Sequence, residues 1–168
     1  MRELRTAAIA IVTVSLVFGL AYPLALTVVG GAGDQSLIGR DFSRDLSSFQ
    51  SRPSATKYSA TATVFNNQGP NQKELAAQLR KNLRAYLRRE RLSDPSQVPA
   101  DAVTTSASGV DPDISVANAR LQARRVAQRR GLSRAQVLKL IDEHTSRPLF
   151  GLAGAGSVNV RELNEALR

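Results

Sequence analysis

Residues 7–30 (AAIAIVTVSLVFGLAYPLALTVVG) carry no charged side chain. At about 1.5 Å of rise per residue, a helix of this length crosses a hydrocarbon core of about 30 Å with slack for tilt. A buried core helix this long would show a polar stripe, and here only Thr13, Ser15 and Thr27 are scattered through it. A cleavable leader has an apolar region of about 7–15 residues. This run is longer, although Gly30-Gly31-Ala32-Gly33 has the small residues of a cleavage region. The run is read as a retained transmembrane helix. It divides the chain into a tail (1–6), a span (7–30) and a soluble domain (31–168).

Tyr22-Pro23 lies inside the span. Proline removes a backbone donor and bends a helix, and in lipid the freed carbonyl needs a partner. Gly19, one turn earlier, would let another helix approach closely. A lone anchor that tolerates its proline and an anchor packed through Gly19, Tyr22 and Pro23 on a membrane partner both fit these residues. Arg2 and Arg5 precede the span, and Asp34 follows it. The positive-inside bias then places the N-terminus in the cytoplasm and the rest outside.

The remaining chain is polar, basic and poor in aromatics. Of 168 residues 5% are aromatic, none is Trp, and the net charge is +9. This length holds one compact domain plus an appendage. The absence of cysteine excludes disulfides, thiolate metal sites and thiol catalysis. A single histidine, His144, excludes a multi-histidine metal site within one chain.

Along the soluble part, residues 56–65 alternate weakly and suggest a strand. Asn71 and Glu74 suggest a variant capping box for a first helix, with Leu75, Leu79, Leu83, Tyr86 and Leu87 on one face and a stop at Ser93-Asp94-Pro95. Ser115 caps a second helix running to about Arg130, with Gly131 just beyond it. Ser133 and Gln136 form a capping box for a third, bearing Val137, Leu140 and Ile141. Residues 151–156 read as a glycine turn, Ser157-Val158 as a short strand, and Asn159 with Glu162 as the cap of a last helix. Helices outnumber strands, so the fold class is α+β.

No catalytic constellation emerges. None of Lys57, Lys73, Lys81 or Lys139 stands in a GxxxxGK[ST] frame, and no serine stands in a GxSxG elbow. His144 reads as a surface residue at a helix end. The stretch from Thr104 to Gly109 suits a turn or an anion nest. Basic runs at 80–91 and 120–134 would suit nucleic acid, but the anchor, the outward topology and the lack of stacking aromatics argue against it. They read first as solvated helix faces and second as an attraction to anionic lipid headgroups.

Short motifs in a fixed order carry a resemblance. They are Tyr22-Pro23-Leu24, Ser36-Leu37-Ile38-Gly39, Arg52-Pro53-Ser54-Ala55, and the run from Ser106 through Ser108, Gly109 and Asp111 to Ser115. Gln122-x-x-Arg125-Val126-Ala127, His144, Val158-Asn159-Val160 and Leu163-Asn164 follow. In this order the chain resembles KdpC, the single-span subunit of the Kdp potassium-transporting P-type ATPase. It departs from the family at residues 64–68, which read VFNNQ where a Gly-Gly-Ser-Asn-Leu loop is expected. It also departs at Ser51, in place of a glycine, and at Val110, in place of a leucine.

The resemblance implies a single-pass protein of a prokaryotic cell membrane with a small extracytoplasmic α+β domain. Its implied partners are a channel-like potassium-selective subunit, a P-type ATPase subunit, a small single-span subunit and the lipid bilayer, with no nucleic acid. ATP and potassium would be handled by the complex, and this chain would hold no catalytic residue, metal or cofactor of its own. The implied role is assembly and stabilisation of the complex. The alternatives are a chaperone that raises the ATP affinity of the ATPase subunit, with a nucleotide-binding label, and, from other classes, a stand-alone anchored binding or sensor protein or a serine hydrolase. The candidate interface or family-motif residues are Arg52, Pro53, Ser54, Ser106, Ser108, Gly109, Asp111, Gln122, Arg125 and Asn159.

Overall fold

The computed structural model describes residues 1–29, 35–59, 61–62, 68–146 and 154–168. The chain divides into two units, Met1–Gln35 and Ser36–Arg168.

The first unit is one apolar helical stretch. It comprises α1 (Arg2–Leu16), a π-helical turn (Val17–Ala21) and α2 (Tyr22–Val29). The most apolar 18 residues of the stretch Arg2–Val28 have a mean hydropathy of 2.2, and none of that window is buried. By length and composition the stretch is long and apolar enough to cross a membrane. The π turn explains how Pro23 is tolerated. Proline offers no N–H to the Gly19 carbonyl and its ring crowds that carbonyl. The wider turn just ahead relieves the crowding, and the Tyr22 N–H reaches back to the Val17 carbonyl.

The second unit holds α3 (Lys73–Glu90), β1 (Asp113–Ser115), α4 (Val116–Arg130), α5 (Arg134–Glu143), β2 (Thr145–Ser146), β3 (Ser157–Asn159) and α6 (Val160–Ala166). The three short strands form an antiparallel sheet in the order β1-β3-β2, with Ile114 opposite Val158. Each of β1 and β3 runs straight into a helix through a capping residue. Ser115 accepts from the Asn118 N–H, and Asn159 accepts from those of Arg161 and Glu162. Gly131 at φ +67° ends α4, and the reciprocal box of Ser133 and Gln136 starts α5, making a tight αα hairpin. Alanines 119, 123 and 127 on α4 let α5 and the sheet pack closely. Phe49, Ile114, Val126, Val137, Ile141, Val158, Val160 and Leu163 fill the core. The α+β class holds for this unit.

Three expectations fail. Residues 56–58 form a turn and not a strand, because Lys57 and Tyr58 both take positive φ (54° and 61°), which no strand accommodates. The rest of that expected strand includes residues 60 and 63–65, which lie outside the described residues. The cap of α3 is Gln72 and not Asn71, with no side-chain bond, so the Asn71–Glu74 box does not form. Nor does α3 run to the Ser93-Asp94-Pro95 stop. It closes at Glu90 with Arg91 in the left-handed region (φ 54°), and Arg124 donates to the Glu90 and Arg91 carbonyls at 2.9 and 3.0 Å. Asp94 instead caps a separate 3-10 turn, Pro95–Gln97. Residues 151–153 of the expected glycine turn, and Pro148, lie outside the described residues.

Candidate functional site

Helix α4 buries two kinds of side chain. Ala119, Ala123 and Val126 face the apolar core, while Asn118, Gln122 and Arg125 form a buried polar column one, two and three turns along the same helix. The column is fully engaged. Asn118 accepts from the Tyr86 hydroxyl and from Gln122 Nε2, and donates to Asp101. Gln122 Oε1 accepts from the Gln50 N–H at 2.7 Å, and its Nε2 donates back to the Gln50 carbonyl at 3.2 Å. Asn164 on α6 treats the preceding residue identically: it accepts from the Phe49 N–H at 2.7 Å and donates to the Phe49 carbonyl at 3.0 Å. Two amide side chains thus stand in for a neighbouring strand and hold residues 49–50 in place. Arg125 completes the clamp by donating to the Leu46 and Ser48 carbonyls and to Gln122, while its Nε pairs with Glu90.

The clamped segment leads directly into Arg52-Pro53-Ser54, and here the two motif loops meet. Arg52 Nη1 pairs with Asp111 at 2.8 Å, and Nη2 reaches Thr104 at 3.4 Å. The Ser106 N–H donates to the Pro53 carbonyl at 2.8 Å, and the Ser54 hydroxyl donates to the Gly109 carbonyl at 2.6 Å. Ser106 and Ser108 accept from backbone N–H groups of their own turn. Gly109 has φ +74°, and a Cβ there would lie 2.5 Å from Thr56 Oγ1, so both conformation and space demand glycine. Gly39 approaches as closely from the other side, its N–H donating to the Val110 carbonyl at 2.7 Å. The Tyr58 hydroxyl donates to the Arg52 carbonyl, and burial pushes its ionisation up to about 12. Asp45 shapes the start of the loop. Hydrogen bonds from Ser48 and Ser47 pull its carboxyl down to about 2.

The structure therefore brings Arg52, Pro53, Ser54, Ser106, Ser108, Gly109 and Asp111 into one knot, with Gln122 and Arg125 in the clamp behind it. Asn159 stands apart at the start of α6, where its Nδ2 donates to the Ser36 carbonyl at 2.8 Å. Gly19, Tyr22 and Pro23 belong to the other unit. His144 sits at the end of α5, half-buried, with Nδ1 at 2.9 Å from the Leu140 carbonyl. Sequence reasoning missed Glu90, Asp101, Asn118 and Gly39 as parts of this arrangement. Polar residues at 118, 122 and 125 on the face of α4 that also carries alanines were the available signal.

Chemically the knot offers a guanidinium, a carboxylate, hydroxyls and turn carbonyls, most already satisfied by one another. One group is not: Arg52 Nε is buried and has no hydrogen-bond partner among the described residues.

Residues 31–168 match the family model KdpC, "K+-transporting ATPase, c chain". Among curated proteins, the Potassium-transporting ATPase KdpC subunit of Cereibacter sphaeroides is 39% identical over 184 aligned positions, covering 99% of this chain and 97% of that one. The subunit of the same name from Caulobacter vibrioides is 40% identical over 188 positions, covering 99% and 93%. That from Mycobacterium tuberculosis is 39% identical over 185, covering 99% and 97%.

Proposed function

The chain belongs to the KdpC family, and from that premise we propose that it is a non-catalytic accessory subunit of an ATP-driven potassium importer. Its task in this reading is to hold a channel-like potassium-selective subunit and a P-type ATPase subunit together. The relatives are named as subunits of a potassium-transporting ATPase, and one apolar helix gives this chain the means to reside with membrane partners. The observation that carries the assembly role is the interlocked knot at Arg52 and Gly109. It spends its polar groups on rigid mutual bonding, and Arg52 and Asp111 keep part of their side chains exposed at its surface.

The test is Arg52→Ala in the full complex. Arg52 and Asp111 keep 25% and 30% of their side-chain surface exposed, so the pair itself contributes no more than about 1 kcal/mol to folding. The variant is expected to unfold nearly as the parent does. Recovery of partner subunits from detergent, and potassium-stimulated ATP hydrolysis, should fall together. A loss of about 1–3 kcal/mol in the chain's own stability would assign Arg52 to internal support alone. Normal assembly with weakened ATP affinity of the complex would favour the chaperone role.

The accompanying topology has the N-terminus in the cytoplasm and the Ser36–Arg168 unit outside, following Arg2 and Arg5. Ala135 is exposed on α5 and takes no part in its cap, and the chain has no native cysteine. An Ala135→Cys variant should react with a membrane-impermeant thiol reagent in intact cells. Labelling only after lysis would reverse the orientation.

A further inference from the structure

The outer side of α3 carries five cations, Lys73, Arg80, Lys81, Arg84 and Arg88, and Arg91 makes a sixth at its C-cap, all exposed. At 100° per residue the five on the helix fall within an arc of about 100°. They lie opposite the side that carries the buried Tyr86 and Glu90. Among the described residues none of the six has a carboxylate within ion-pair distance; the ion pairs of the unit lie elsewhere. Arg88 and Arg91 gain from the helix dipole at the C-terminal end. Arg80, Lys81 and Arg84 lie mid-helix and gain nothing from it. Like charges three and four residues apart instead destabilise the helix by a few tenths of a kcal/mol per pair.

We propose that this stripe of α3 lies against the anionic headgroups of the bilayer that holds the chain's own anchor. Charge complementarity favours that partner, since each Lys or Arg near an anionic lipid surface strengthens attachment. The stripe also lacks the aromatic and apolar anchors that fill the core of a protein interface: its uncharged member is Ala77. The sequence tethers the second unit within a few residues of the apolar helix, so headgroups are at high local concentration. The proposal rests on reading that helix as a membrane span.

The experiment uses the full chain reconstituted in vesicles of phosphatidylcholine, alone or with about one-third phosphatidylglycerol. A fluorophore on Ala77→Cys reports the stripe, one on Ala135→Cys is the off-stripe control, and the quencher is attached to lipid headgroups. The Ala77 label is expected to be quenched several-fold more strongly with phosphatidylglycerol present, and to lose that excess at about 0.5 M salt. An Arg80→Gln/Lys81→Gln/Arg84→Gln variant, whose positions are all exposed, should lose it too. At about fivefold in surface affinity per cation, the combined loss is about a hundredfold. Co-flotation with pure phosphatidylcholine vesicles reports the anchor separately; failure there would overturn the span and with it this proposal. Flotation with equal quenching in both lipids would overturn the headgroup contact alone. So would protection of the Ala77 label that arises only when partner subunits are added, which would assign the stripe to an acidic protein surface.

Discussion

Replacing Arg125 by Met is expected to cost the chain about 3–5 kcal/mol, a large part of the 5–15 kcal/mol that holds a domain together. Arg125 keeps only 8% of its side chain exposed and Glu90 none. Removing the guanidinium leaves the buried Glu90 carboxylate with Arg89 at 2.8 Å as its remaining ion-pair partner, and that arginine is partly in solvent and packed over the Tyr86 ring. It also strips donors from the Leu46 and Ser48 carbonyls and from Gln122. Denaturant unfolding of the full chain in detergent measures the loss. A second change, Glu90→Gln, removes the stranded charge and should restore part of it, with a coupling of about 1–3 kcal/mol between the two positions. Arg125→Lys keeps the charge without the planar fork and should fall between parent and Met. A loss below about 1 kcal/mol for Arg125→Met would mean that the clamp is not held from this side.

The parts of the fold legible in the sequence were those written in local chemistry. Ser115, Ser133, Gly131 and Asn159 each sit where a helix must start or stop, and each does so through bonds within four residues. The apolar run 7–30 needed only its length and lack of charge. What failed depended on distant partners. Nothing around Lys57 and Tyr58 announces positive φ, because the turn is held by Ser54 and by the Gly109 carbonyl more than fifty residues away. The end of α3 comes at Arg91, a non-glycine residue at positive φ that no local residue type announces, and Arg124 from a different helix takes up the Glu90 and Arg91 carbonyls. The candidate residues showed the same split. Their grouping into motifs was visible, but Arg52 meets Asp111 across 59 positions and Gln122 meets Gln50 across 72. No periodicity encodes either pairing. The resemblance to a family supplied the residues, and only the folded chain supplied what they touch.

The second clamp has a sharper signature. Asn164→Ala should cost about 2–4 kcal/mol, since it leaves both the N–H and the carbonyl of Phe49 buried without a partner. Lost packing could mimic that figure, so Asn164→Asp is the more telling change. It keeps the volume and the acceptor for the Phe49 N–H, but turns the donor facing the Phe49 carbonyl into a second acceptor. Ionised, it sets a buried charge against a carbonyl; protonated, its O–H can donate there as the amide did. The folded-state pKa of this carboxyl is therefore expected to lie above its unfolded value of about 3.9. With the folded pKa raised, the folded state binds more protons over that interval, and stability falls as pH rises through it. The variant should match the parent below about pH 3.9 and weaken progressively until the pH exceeds the folded pKa. The difference between Asn164→Asp and the parent, followed by denaturant unfolding across pH, measures this. A pH-independent difference would mean that Asn164 acts by filling space, and that the segment leading into Arg52 is held by Gln122 and Arg125 without it.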